Sequence, residues 1–337
     1  MRTVTRGMVM ASVLPLSLPG RKAIADRPAG QGEMSALMQD EIITIANDVL
    51  TARIAFLGAE LRSLVPDWGG DVIWEPDASI WDGAAPNLFP VVGTLVGDRL
   101  IHKGVAYPMA GHGFLRHHRM TPVSVGETSG SFRLRDTVET RRSYPFPFDL
   151  TVSFSLEGDR LRQSFLVANP GEEPLPVSLG AHPGFRWPLS PSLPRSAHRI
   201  LFSHDEPGGI RRVVKTGAGP ALGRALLPTP VSGRVLCPED ALFAPGAIVW
   251  DRRESDRISF GVPDGPGVEM ECGDFPHFGI WTKPGAGFLC LEPWQGFMSP
   301  PDFAGEIRNR PGIAMIPPGD SRRWSLSIRP VRHLSTK

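Results

Sequence analysis

Thr151-Val152-Ser153-Phe154-Ser155-Leu156, then Glu157-Gly158-Asp159-Arg160, then a returning apolar run over residues 161–167, is the stretch that decides the fold. Side chains alternate apolar and polar with a period of two, the signature of a strand with one buried face. The Gly-Asp pair between the runs supplies the turn, so the stretch predicts a β-hairpin. A second hairpin is predicted over residues 257–272, with Pro263-Asp264-Gly265-Pro266-Gly267 as its turn. Trp324, Leu326 and Ile328 alternate once more near the C-terminus. At the other end Ile43 and Ile45 alternate, Asn47-Asp48 turns the chain, and Leu50, Ala52, Ile54 and Phe56 share a face. Residues 50–64 also fit a helix, because short apolar runs do not separate the two periods.

Composition supports strands. The 337 residues include 37 glycines and 35 prolines, about a fifth of the chain, against roughly 12% in average usage. So many breakers leave little room for long helices. Apolar content of 41% and charged content of 21% fit a globular chain with a large core. The strand pattern runs from about residue 43 to 330 with no linker or repeat, broken by Pro-, Gly- and Asp-rich loops over 66–90, 186–198 and 203–234. The expectation is therefore all-β: one large antiparallel β-sandwich over residues 41–332, a leader over 1–40 and a tail over 333–337.

The 36 basic and 35 acidic residues lack the basic excess of a nucleic-acid surface. No stretch approaches the ~18 apolar residues of a membrane-spanning helix. Cys237, Cys272 and Cys290 share no metal spacing and read as reduced core thiols. Arg2, Arg6 and the apolar run from Met8 loosely resemble a signal peptide, but Pro15 breaks the run and Arg21-Lys22 sit where small residues belong. A leader, or a start at Met34 or Met38, is the favoured reading, with a cytoplasmic protein as its consequence and export as the alternative. The sequence sets no oligomeric state.

Five clusters carry candidate chemistry. Asn87-Leu88-Phe89-Pro90-Val91-Val92-Gly93 is a proline-bounded apolar run. Gly111-His112-Gly113-Phe114-Leu115-Arg116 flanks a histidine with glycines that let backbone approach a ligand. Leu179-Gly180-Ala181-His182-Pro183-Gly184-Phe185 sets a second histidine between a strand and a glycine turn. Glu239-Asp240-Ala241-Leu242-Phe243 is the fourth. The fifth, Cys290-Leu291-Glu292-Pro293-Trp294, follows Trp281-Thr282 and reads as a strand ending, with Glu292 at the rim of a sheet. Each alone has a plain structural reading: turn histidines, a capping Asp, core tryptophans, a salt-bridged Glu. On ligand type His112, His182 and Glu292 also suit zinc, though spacing does not bring them together.

In this order the clusters, with Tyr144-Pro145-Phe146-Pro147-Phe148, resemble the aldose 1-epimerase (galactose mutarotase-like) superfamily, particularly its bacterial LacX-type branch. The resemblance covers residues ~41 to 332 and implies the large galactose mutarotase-like β-sandwich. It implies acid–base interconversion of the α and β anomers of a small sugar, with neither metal nor organic cofactor. Glu292 matches the family's general base and His182 its general acid. His112 and Asp240 match residues that grip sugar hydroxyls, and Trp281 and Trp294 could form the apolar face of the site. The expected geometry is a single cleft with the two catalytic groups a pyranose width apart. Thr94 stands where many relatives carry an arginine, so Arg99 or Arg116 is expected to replace it. A hexose-6-phosphate mutarotase would need a cationic cluster, for which Arg116, Arg99 and Arg186 are candidates. A non-catalytic carbohydrate-binding module on the same fold is the third reading.

Overall fold

The structure, a computed structural model, describes residues 41–336, so the expected leader over 1–40 lies outside the described residues. The hairpin forms as read. Asp149–Glu157 pairs antiparallel with Arg160–Ala168, setting Leu156 opposite Leu161, Val152 opposite Phe165 and Leu150 opposite Val167. Leu150, Val152, Phe154 and Leu156 are buried, while the residues between them are only partly covered. Gly158 turns the chain at φ +62°, a left-handed conformation open to glycine without steric cost.

A nine-stranded sheet is built on this hairpin. Ser321–Val331 pairs with Arg160–Ala168 on one side and Gly267–Glu271 on the other, joining the two hairpins predicted from sequence. Arg257–Gly261, Arg199–Phe202 and Val235–Leu236 extend it to one edge, and Ser129–Arg135 and Thr121–Val125 to the other. Residues 50–64 are strands rather than helix: Leu50–Ala55 pairs with Ile42–Ala46 and Leu61–Pro66 in a separate three-stranded sheet.

The second large sheet has eight strands, with Phe288–Gln295 at its centre between His277–Trp281 and the two short strands Leu179–Ala181 and Gly184–Arg186. Beyond His277–Trp281 come Ile248–Trp250, Arg211–Thr216 and Gly219–Leu222, and Asn87–Leu88 forms the other edge. The expected loop over 203–234 therefore contributes two strands, one of which pairs directly with Ile248–Trp250. Leu289 and Leu291 share one core with Val152 and Phe165 of the nine-stranded sheet. The protein is thus a large all-β antiparallel sandwich. Packing runs past residue 332, where the domain was expected to end: Leu334 is fully buried and bridges to Pro263. Among the described residues no helix is long and apolar enough to cross a membrane.

The outer face of the eight-stranded sheet decides where the site lies. Every residue of Phe288–Gln295 is buried, so loops must cover the face turned away from the core. Trp74, Trp81 and Trp281 pack over Phe288 and Cys290. Leu88, Val92, Phe297 and Met298 pack around Trp294. Glu292 lies between these two apolar patches.

Candidate active site

Glu292 is not at a strand end. It sits within Phe288–Gln295, paired across the ladder with Gly279, and is 1% exposed. The strand continues because Pro293 and Trp294 remain in register with Phe278 and His277. On its other side, Leu179–Ala181 pairs with the strand at Trp294 and Gly184–Arg186 pairs with it at Cys290. His182 and Pro183 occupy the break between these short strands, directly beside Glu292. The Pro183 carbonyl accepts from Leu291 N at 3.3 Å, so the corner stays tied to the sheet.

His182 Nε2 consequently lies 3.0 Å from Glu292 Oε2. The contact lacks hydrogen-bond alignment, so Glu292 Oε2 is buried without a partner among the described residues, and on the far side of the ring His182 Nδ1 is too. Burying such groups unpaired is costly, so the packing around them has to offset the loss. The two groups are in contact rather than a pyranose width apart as expected, because the break between the two short strands seats His182 directly beside Glu292.

The surround is built from the remaining clusters. The loop carrying Trp81 is stitched to the His182 corner by His182 N to Pro86 O (3.1 Å), Gly184 N to Ala84 O (2.8 Å) and Trp74 N to Gly184 O (2.8 Å). The buried Glu60 carboxylate accepts from Ala84 N and Ala85 N, fixing the same loop from below. Asn87 donates to the Gly58 and Ala59 carbonyls and accepts from Gln163, pinning a three-stranded-sheet turn to both large sheets. Ser178 accepts from Val92 N and donates to Gln295 O. Tyr144, Phe146 and Phe148 pack beneath this loop, Tyr144 and Phe148 against Phe89, and the Tyr144 hydroxyl donates to Pro176 O. That motif supports the site and does not line it.

His112 stands at φ +66°, unusual for a residue with a side chain. Two hydrogen bonds hold it there: its N–H donates to Gly93 O at 2.8 Å, and Nδ1 accepts from Gly93 N at 3.3 Å. Because Nδ1 accepts, the proton of the neutral ring belongs on Nε2, which becomes a donor. Burial, then the neighbouring His182, Arg116 and Arg310, hold its pKa well below the usual imidazole range, so the ring is neutral at pH 7. The His112 and His182 rings lie 5.6 Å apart.

These groups face one cavity of about 340 Å³, lined by Glu292, His182, His112 and Arg116 with Trp281 and Trp294. Trp294 lies flat on the sheet: a side chain at Gly180 or Gly279 would collide with its indole. Trp81 closes the other side, 5.3 Å from the His182 ring and 5.6 Å from Trp281. Sequence reasoning passed over Trp81. The available signal was three tryptophans, Trp68, Trp74 and Trp81, in a loop otherwise rich in Pro, Gly and Asp. It also passed over Arg310, which donates to Val92 O, Ser299 Oγ and Phe297 O from a buried position and braces the loop that holds His112. Burial without a carboxylate partner lowers its pKa to about 9, still cationic at pH 7.

Two further expectations about the site are not met. Asp240 is absent from the cavity: it opens the short helix Asp240–Phe243 and forms a two-pronged pair with Arg195 beside a different pocket. The pair holds its carboxyl below the usual range despite partial burial. Arg99 and Arg186 do not join Arg116; Arg99 lines a separate pocket, and Arg186 faces Glu75 at 3.6 Å. Of the residues that suit zinc on ligand type, His112 does not join His182 and Glu292 in a cluster of donor atoms among the described residues. The donors that do come within 4.8 Å of one another are His182, Cys290 and Glu292. Burial, with Glu292 beside it, pushes the Cys290 thiol far up, favouring its protonated form over the thiolate a metal would need.

Comparison with known proteins agrees with the fold and the motifs. The family model for aldose 1-epimerase matches residues 41–218. Protein LacX of Lactococcus lactis is 29% identical over 295 residues, covering 85% of this chain and 98% of its own length. A galactose mutarotase related enzyme from Lactobacillus acidophilus superimposes with a TM-score of 0.79 at 27% identity, over 88% of this chain and all of its own. A galactose mutarotase-like protein from Lactobacillus casei gives the same TM-score at 24% identity, over 86% and 100% of the two chains, and supports the fold. The chain belongs to the aldose 1-epimerase family.

Proposed function

We propose that this protein is a mutarotase that interconverts the α and β anomers of a free aldose by acid–base ring opening. The observation that carries the reading is the 3.0 Å juxtaposition of His182 Nε2 and Glu292 Oε2, in two residues that both line the cavity. With a pyranose bound, Glu292 takes the proton of the C1 hydroxyl as the C1–O5 bond breaks. His182 delivers a proton to O5, giving the open-chain aldehyde. Rotation about C1–C2 presents the other carbonyl face, and re-closure runs the same transfers backward: O5 attacks C1, its proton returns to His182, and the carbonyl oxygen regains a proton from Glu292. A carboxylate and an imidazole are side-chain types suited to serve as general base and general acid.

The other residues hold the sugar. His112 Nε2–H and the Arg116 guanidinium are donors to ring hydroxyls, and Trp81, Trp281 and Trp294 offer flat apolar surface to its C–H faces. The test is direct: freshly dissolved α-D-glucose or α-D-galactose, followed by polarimetry or proton NMR, should reach anomeric equilibrium faster in proportion to enzyme added. Sugar binding without acceleration on any aldose would instead identify a carbohydrate-binding protein.

A further inference from the structure

We infer that Trp294 binds the sugar through its edge as well as its face, with Nε1–H donating to a hydroxyl that takes no part in ring opening. This rests on the mutarotase reading and adds a polar contact to the same site. Its basis is a donor left over. Trp294 is 5% exposed, and its Nε1 is buried without a partner among the described residues. An indole N–H can only donate, and a buried indole ordinarily finds an acceptor. Three other tryptophans follow that rule. Trp74 Nε1 donates to Trp81 O at 3.3 Å, Trp187 Nε1 to Arg195 O at 3.0 Å and Trp324 Nε1 to Gln295 Oε1 at 3.2 Å. Trp250 Nε1 also lacks an acceptor, but Trp250 belongs to the sandwich core and does not line the cavity. Trp294 does.

Register aims the donor. Trp294 pairs with Gly180, and Glu292 pairs with Gly279. A Cβ at Gly180 would meet Trp294 Cδ1, and one at Gly279 would meet its six-membered ring at Cη2, Cζ2 and Cζ3. The indole therefore runs from its own position on the strand back toward that of Glu292. Nε1, bonded to Cδ1 on the side of the ring far from Cβ, is carried with it toward the acid–base pair. The side chains of Leu88, Val92, Val249, Phe297 and Met298 pack around the ring and hold no oxygen or nitrogen, so the acceptor has to come from what fills the cavity. A sugar hydroxyl suits this place, because a hydroxyl can accept from Nε1 while donating elsewhere. Glu292 and His182 serve O1 and O5 in the proposed reaction, which leaves the hydroxyls on the other carbons.

The full chain with 3-benzothienylalanine in place of Trp294 tests the inference, since that residue keeps the indole shape and has sulfur where the N–H was. Variant and wild type are compared on whichever of D-glucose and D-galactose turns over faster, and on its 2-, 3-, 4- and 6-deoxy forms. The expected result is kcat/KM lower by about 2–10-fold on the parent sugar, the worth of one neutral hydrogen bond. On one deoxy form that loss should vanish, because the hydroxyl that Nε1 serves is already gone, and on the others it should persist. Trp294→Phe, another flat ring without an N–H, should show its smallest loss on the same deoxy sugar, and it carries the test alone if the analogue fails to fold. Wild-type kcat/KM on every sugar, or a loss of one size on the parent and all its deoxy forms, overturns the inference and leaves the mutarotase reading standing. The second pattern is that of a packing defect. No acceleration of any of these sugars by the wild type overturns both.

Discussion

The strands Asp149–Glu157 and Phe288–Gln295 lie in the two sheets of one sandwich and follow opposite rules. In the first, alternate residues are buried and the rest are partly covered, because one face meets the core and the other meets solvent. In the second, all eight residues are buried, because loops cover the outer face as completely as the core covers the inner. A carboxylate on the first strand would be an ordinary solvated charge. On the second, Glu292 is enclosed by aromatic rings with an imidazole against it. The lesson is that the nine-stranded sheet supplies stability and the covered face of the eight-stranded sheet supplies chemistry.

That division can be broken by mutation. Phe154, 1% exposed within the core, should cost about 3–5 kcal/mol on truncation to alanine. Denaturant unfolding would register the loss, while turnover per folded molecule should stay near wild type. A parallel collapse of turnover would mean that the sheets are not separable in this way.

Acid should probe the other sheet. His277 is buried beside Trp294, its Nδ1 accepting from Gly296 N, and burial lowers its pKa to about 4. The unfolded chain protonates this residue near the ordinary value of about 6.5. Below that value the unfolded state binds the proton and the folded state does not, so stability is fully present above pH 6.5 and falls as pH drops toward 4. For this residue alone the loss is roughly 3 kcal/mol, and neutral His112 adds to it with the same sign. Urea midpoints measured between pH 7 and 4 should show the decline, and His277→Gln should flatten it. A profile unaltered by that change would remove His277 from the explanation.

The sandwich architecture was legible because Asp149–Glu157 and Gly267–Glu271 each have one face less covered than the other, which writes itself into alternation. The strand Arg211–Thr216 was read as loop, since as a short near-edge strand it is only partly buried along its length. Site residues followed the motifs where motif and covered sheet coincide, as at Glu292, His182, His112, Trp281 and Trp294. Asp240 shows the limit. The motif is present, but Arg195, which comes from a distant loop and stacks on Trp187, draws the carboxylate away, and no local spacing records that. Glu60, Ser178 and Arg310 were missed for the same reason: their partners lie far along the chain.

The most direct test is the anomerisation rate of Glu292→Gln measured beside its melting temperature. The amide keeps the shape of the side chain and removes the base. A rate lower by about 10²–10⁴-fold with melting within a few degrees of wild type is the expected result, and His182→Asn should behave alike. Wild-type rates in both variants, at unchanged stability, would contradict the assignment of the acid–base pair.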